Sequence, residues 1–132
     1  MLKLSVLAGF LVVTGSVHAG YKGTPGAGAV SVYRYTDGTG FVRGTLSDTR
    51  ASADTTSYLD CIHIAYPGNR YAYCSAYDAS LTFGWCWTSD PAILAVIASI
   101  EPDTGISFEW NANGMCAYVQ ATTTSVTAPK QP

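Results

Sequence analysis

Between residues 57 and 88 small and large side chains alternate through three consecutive runs, and every cysteine in them falls on the small side. Successive side chains of a strand point to opposite faces, so period-two alternation sorts residues by face. One set is Cys61, His63, Ala65, Ala72, Cys74, Ala76, Thr82, Gly84, Cys86 and Thr88. The other is Tyr58, Ile62, Ile64, Tyr66, Tyr71, Tyr73, Tyr77, Phe83, Trp85 and Trp87. The runs 57–66, 71–77 and 81–88 therefore read as three antiparallel strands with a small-residue face and an aromatic face. In "PGNR" a turn centred on Gly68-Asn69 sets residue 61 opposite 76 and 63 opposite 74, which leaves Cys61 and Cys74 diagonal. A second turn centred near Ser80 sets Cys86 opposite Cys74.

The remainder of the chain adds strands at both ends. "VSVYRY" alternates Val30 and Val32 against Ser31, Tyr33 and Tyr35. "TDGTG" is a turn around Asp37-Gly38, and "FVRGTLSDT" is its return strand. "RASADTT" is a polar loop with room for one helical turn. One helix signal is strong: Ser89-Asp90-Pro91 supplies an N-cap and a first-turn proline. Ile93, Val96, Ile97 and Ile100 then follow at helical spacing. Glu101-Pro102 and Gly105 stop that helix. "ISFEW" and "MCAYVQAT" form a last hairpin around Asn113-Gly114. The expected fold is α+β: an antiparallel meander of about seven strands with one helix packed on it. An all-β sandwich with a small helix is the alternative.

Met1 to Ala19 has the pattern of a cleaved secretory leader: Lys3, an apolar run from Leu4 to Val13, and small residues at Val17 and Ala19 before the cut. The expected organisation is a signal peptide at 1–19, a Gly/Pro-rich arm at 20–28, one β-rich domain at 29–126 and a Thr/Pro-rich tail at 127–132. With the leader gone the destination is the periplasm or the extracellular space. No second long apolar run supports stable membrane insertion. Cys61, Cys74, Cys86 and Cys116 then read as two disulfides, since an even number in an exported chain is a staple framework. Four cysteines allow three pairings. Cys61–Cys74 with Cys86–Cys116 is favoured, because the second bridge ties the last hairpin across the helix, but sequence does not choose among them. Closely spaced metal-ligand pairs are missing, so no metal or other cofactor is expected.

The run "LSDTRASADTTSYLDC", followed by Cys74, Cys86, "SDP" with a helix, and Cys116, resembles a group of small secreted bacterial proteins of unassigned activity. The resemblance covers residues 41 to 130. It implies an exported bacterial four-cysteine domain and carries no catalytic or binding residue with it.

Few residues carry a recognisable chemistry. With Lys3 removed, six cations stand against nine acids and no basic cluster occurs, so nucleic-acid binding has no support. His63 is the one histidine after the leader, and Asp60 lies three residues away, on the opposite strand face. A catalytic triad therefore lacks its members, and His63 reads as a strand residue beneath or beside the helix. Glu101, Asp103 and Glu109 lie near one another in sequence, and any two of them make only a weak candidate carboxylate pair. Asp48 and Asp54 lack the glycine and bidentate acid of a calcium loop. No catalytic residue is assigned. The aromatic wall remains. Its area is the main material for a core of this size, so the helix stripe is expected to cover much of it. One short helix leaves part of such a face open. Of Trp85 and Trp87, one is expected under the helix and one at the rim. The uncovered part, around Tyr71, Tyr73, Trp85 and Trp87, is the candidate site for a glycan or protein at the cell surface. A non-enzymatic binding domain is the first functional expectation. A self-associating envelope or matrix subunit is the second, and a small secreted hydrolase the third.

Overall fold

The computed structural model describes residues 29–123. The expected leader at 1–19, the arm at 20–28 and the tail at 127–132 lie outside the described residues.

The first hairpin joins β1 (Ser31–Arg34) to β2 (Gly40–Thr45). Its loop is organised by Asp37, which accepts from the Thr39 backbone N–H at 2.9 Å and the Thr39 hydroxyl at 2.7 Å. The Thr39 hydroxyl first, then its N–H, hold the Asp37 carboxyl below the ordinary carboxylate value. β2 is shorter than the alternation suggested. Thr45 leaves the strand as an N-cap, accepts from Asp48 N–H at 3.3 Å and starts α1 (Leu46–Arg50). "TLSD" is a capping sequence, and its local hydrogen bonds turn Leu46 to Thr49, expected as strand, into the helix.

β3 (Tyr58–Tyr66), β4 (Asn69–Tyr77) and β5 (Phe83–Thr88) form a three-stranded meander. Tyr66 pairs with Asn69, and Cys61 stands directly opposite Cys74. The turn is thus Pro67-Gly68, with Gly68 at φ +78, not Gly68-Asn69. Proline has no N–H for a ladder and its φ suits the second position of a turn, while the following glycine takes positive φ without steric cost. The shift is two residues, so every side chain keeps the face assigned to it. The next turn agrees with expectation, and Cys74 pairs with Cys86. Asp78 holds that loop by accepting from Ser80 and Thr82 N–H, each at 2.9 Å.

Asp90 caps α2 (Pro91–Ala98) through Ala92 and Ile93 N–H. β6 (Gly105–Trp110) and β7 (Cys116–Thr122) make the last hairpin. The α+β, disulfide-stapled antiparallel architecture holds, with the seven strands of the described residues divided into two sheets and a second short helix among them. The orders are β1-β2-β6-β7 and β3-β4-β5. β6 pairs with β2 across some sixty residues of chain. The disulfides are Cys61–Cys74, within one sheet, and Cys86–Cys116, between the two.

The largest correction concerns which face is inside. Ala72, Cys74, Ala76 and Cys86 are fully buried, together with Val42, Ile106 and Phe108 of the other sheet, and Trp110 beside them is nearly so. Bulk from one sheet fills the space left by small residues on the other. A Cβ on Gly84 would lie 2.8 Å from the Trp110 ring and 2.9 Å from Val32. α2 also packs on the small-residue side, burying Leu94 and Ile97, with Ile93, Val96 and Ile100 partly covered. The aromatic wall is therefore not the core, and the helix does not lie on it.

Candidate functional site: an aromatic sheet face

The outward face of the β3-β4-β5 sheet is built in rows set by strand register. The first row is Tyr58, Tyr77 and Phe83, whose rings meet at 5.3 Å and 4.7 Å. The second is Asp60, Ser75 and Trp85. The third is Ile62, Tyr73 and Trp87. Ile64 with Tyr71 follows, and Tyr66 closes the face, stacked 6.3 Å from Tyr71. Hydrogen bonding with Tyr66 pushes the Tyr71 phenol above its ordinary value.

All four residues predicted from sequence share this face. Tyr71 and Tyr73 are half-buried, Trp85 is 44% exposed and Trp87 38% exposed. The expected split between a packed and a rim tryptophan does not occur, because the helix lies on the other side of the sheet. Trp110 is the buried tryptophan, and its indole N–H donates to the Gly38 carbonyl at 3.1 Å.

Two features went unread in the sequence. Asp60 accepts a hydrogen bond from the Ser75 hydroxyl, which puts a polar pair among the aromatic residues and isoleucines of this face. Alternation placed Asp60 on this face, opposite to that of His63, but Ser75, a small residue among large ones, does not stand out in it. The second feature is non-local. The β6–β7 turn runs beside β5, Trp87 N–H donates to the Gly114 carbonyl at 3.0 Å, and Met115 is exposed next to it. A Cβ on Gly114 would come within 3.3 Å of the Trp85 ring, so this glycine lets the indole lie against the turn. Residues 24 or more positions from the β5 tryptophans leave no local signal of that contact.

The other candidates are not brought together. His63 is exposed on the small-residue side of β3, and Asp60 is on the opposite face, so they do not form a catalytic pair. Glu109 lies on β6, while Glu101 and Asp103 precede that strand by four and two residues. Asp54 spends its oxygens on its own loop, accepting from the backbone N–H groups and hydroxyls of Ser57 and Thr56. The Ser57 N–H is the largest cause that holds its carboxyl far below the ordinary range. No group of three metal-ligating side chains occurs among the described residues. Among the same residues no helix is long and apolar enough to cross a membrane. Comparison with protein-family models, curated proteins and solved structures found no match to this chain.

Proposed function

We propose that this is a secreted, non-catalytic binding domain that takes up a carbohydrate by stacking on the β3-β4-β5 face. The observation that carries the reading is the joint exposure of Trp85 and Trp87 on one sheet face, flanked by tyrosines. Residues two apart on a strand stand about 7 Å from each other, so the two indoles project side by side from one face of β5. Apolar faces of sugar rings pack on such surfaces, and the half-buried Asp60 carboxylate, in the same row as Trp85, supplies an acceptor for a sugar hydroxyl. Secretion is supported by the leader pattern and by the two disulfides. The test is affinity electrophoresis in gels cast with neutral polysaccharides. Retention should be lost in Trp85→Ala and Trp87→Ala while both variants stay folded at the temperature of the assay, as followed by circular dichroism. Retention unchanged in both variants would place the site elsewhere.

Self-assembly is a second reading, favoured by the β3 edge. β3 has β4 on one side only, and no hydrogen bond among the described residues reaches its other edge. The Cys61–Cys74 Cα separation of 4.0 Å marks a narrow, non-hydrogen-bonded pair. The N–H and C=O groups of Leu59, Cys61, His63 and Ala65 therefore point away from β4. This nine-residue edge carries no proline, lysine or bulge to discourage pairing. Sedimentation velocity across a wide concentration range separates the readings. A monomer throughout argues against assembly.

A further inference from the structure

We infer that the outer face of the four-stranded sheet holds a second ligand site, built on Glu109 and Arg43. It would take a zwitterionic small molecule, one carrying an organic ammonium beside a phosphate or carboxylate. This site lies on the opposite side of the molecule from the tryptophan face and does not depend on it.

Register places Phe41, Glu109 and Tyr118 side by side on β2, β6 and β7. Neighbouring strands are about 4.8 Å apart, so the two aromatic residues stand roughly 9.5 Å apart with the carboxylate between them. A cation above Glu109 would lie about 5 Å from each ring, inside the ~6 Å reach of a cation–π contact. Both walls are braced from behind. Tyr33 stacks on Phe41 at 4.5 Å and 17°, and Tyr35 lies 6.3 Å from it. The Tyr118 hydroxyl donates to Gln120 Oε1 at 2.9 Å. No ring contact closes the gap between Phe41 and Tyr118 among the described residues.

Arg43 gives the site its second charge. It pairs with Ser107, which makes it a diagonal neighbour of Glu109, some 7–8 Å away. Both side chains are exposed, and no ion pair joins them. A hollow of about 360 Å³ is lined by Tyr35, Phe41, Arg43, Glu109, Tyr118 and Gln120. Two unspent opposite charges at that spacing, one of them walled by aromatic rings, match a dipolar ion better than a neutral sugar or a simple cation. The ammonium would sit over Glu109 between the rings, and the anion would meet the Arg43 guanidinium.

The test titrates phosphocholine into the purified protein and follows the ring resonances of Phe41 and Tyr118. A saturable shift is expected. 3,3-Dimethylbutyl phosphate, which replaces the charged nitrogen by carbon, should bind about tenfold more weakly. Glu109→Gln should erase that preference. Arg43→Gln should weaken phosphocholine and leave choline bound as well or better. Both substitutions are at exposed positions, and an unchanged melting temperature verifies the fold. Flotation with phosphatidylcholine vesicles distinguishes sources: co-flotation blocked by phosphocholine assigns a lipid headgroup, and its absence assigns the free molecule. No saturable shift, equal affinity for the carbon analogue, or full affinity in Glu109→Gln would each overturn the assignment.

Discussion

At the residue scale the three tryptophans separate structural from surface roles. Trp110 is buried, donates its indole N–H and fills the space over Gly84. Trp110→Ala should cost about 3–5 kcal/mol through lost burial and a cavity. Trp85→Ala and Trp87→Ala should each cost roughly 1 kcal/mol or less, the scale of a cross-strand contact. Urea unfolding of the three variants tests this ranking, and acrylamide should quench Trp85 and Trp87 but not Trp110. Alternation sorted these side chains by face correctly. It could not say which face is inside, because that depends on the volume the other sheet contributes. Asp54 makes a second residue-scale case. Its folded carboxyl titrates below the unfolded value of about 3.9, so its contribution is complete above that value. The contribution is lost only as pH falls through the depressed folded value. Asp54→Asn should lower the urea midpoint at neutral pH, and the gap to wild type should still be open near pH ~4 and close on stronger acidification.

At the element scale the turns and caps were the most legible features, because their signals are local. Asp90 before Pro91 and the glycines at 38 and 114 acted as their chemistry requires. Pro67 was the informative failure. Pro67-Gly68 and Gly68-Asn69 are both turn sequences, and only the first gives the observed register, in which Cys61 and Cys74 are opposite and not diagonal. α1 was hidden because strand-forming residues run directly into its cap. The two disulfides act on different elements, which predicts unequal effects. Cys61–Cys74 spans 13 residues within a hairpin already closed by its own ladder, whereas Cys86–Cys116 spans 30 and links two sheets. On loop entropy alone the bridges differ little, roughly 3 against 3.6 kcal/mol. The hairpin ladder already orders Cys61 and Cys74, so the double Cys86→Ala, Cys116→Ala variant should lose clearly more stability than the Cys61→Ala, Cys74→Ala variant. Equal urea midpoints for the two double variants would contradict this.

For the whole molecule the decisive relation is size complementarity between sheets. β3, β4 and β5 turn alanines, cysteines and Gly84 inward, and β2 and β6 answer with Val42, Ile106, Phe108 and Trp110. Each pattern is visible in its own stretch of chain, yet their pairing is not, since β2 and β6 meet only after the whole intervening meander is placed. This complementarity leaves the aromatic wall outside. Exposure of so many rings follows from the glycine and alanine positions beneath them and not from a shortage of helix to cover them. The contact of Gly84 with Trp110 tests the relation directly. Gly84→Ala puts a methyl where the Trp110 ring and Val32 already stand, an overpacking that should cost about 1–3 kcal/mol. Trp110→Phe alone should also destabilise, by loss of packing and of the bond to the Gly38 carbonyl. If the two sheets are locked by this fit, the double variant should be more stable than the sum of the single effects allows, with a coupling of about 0.5–3 kcal/mol. Strict additivity in urea unfolding would mean that the smaller ring does not release the strain at Gly84, and that the close approach of the sheets is set elsewhere along the interface.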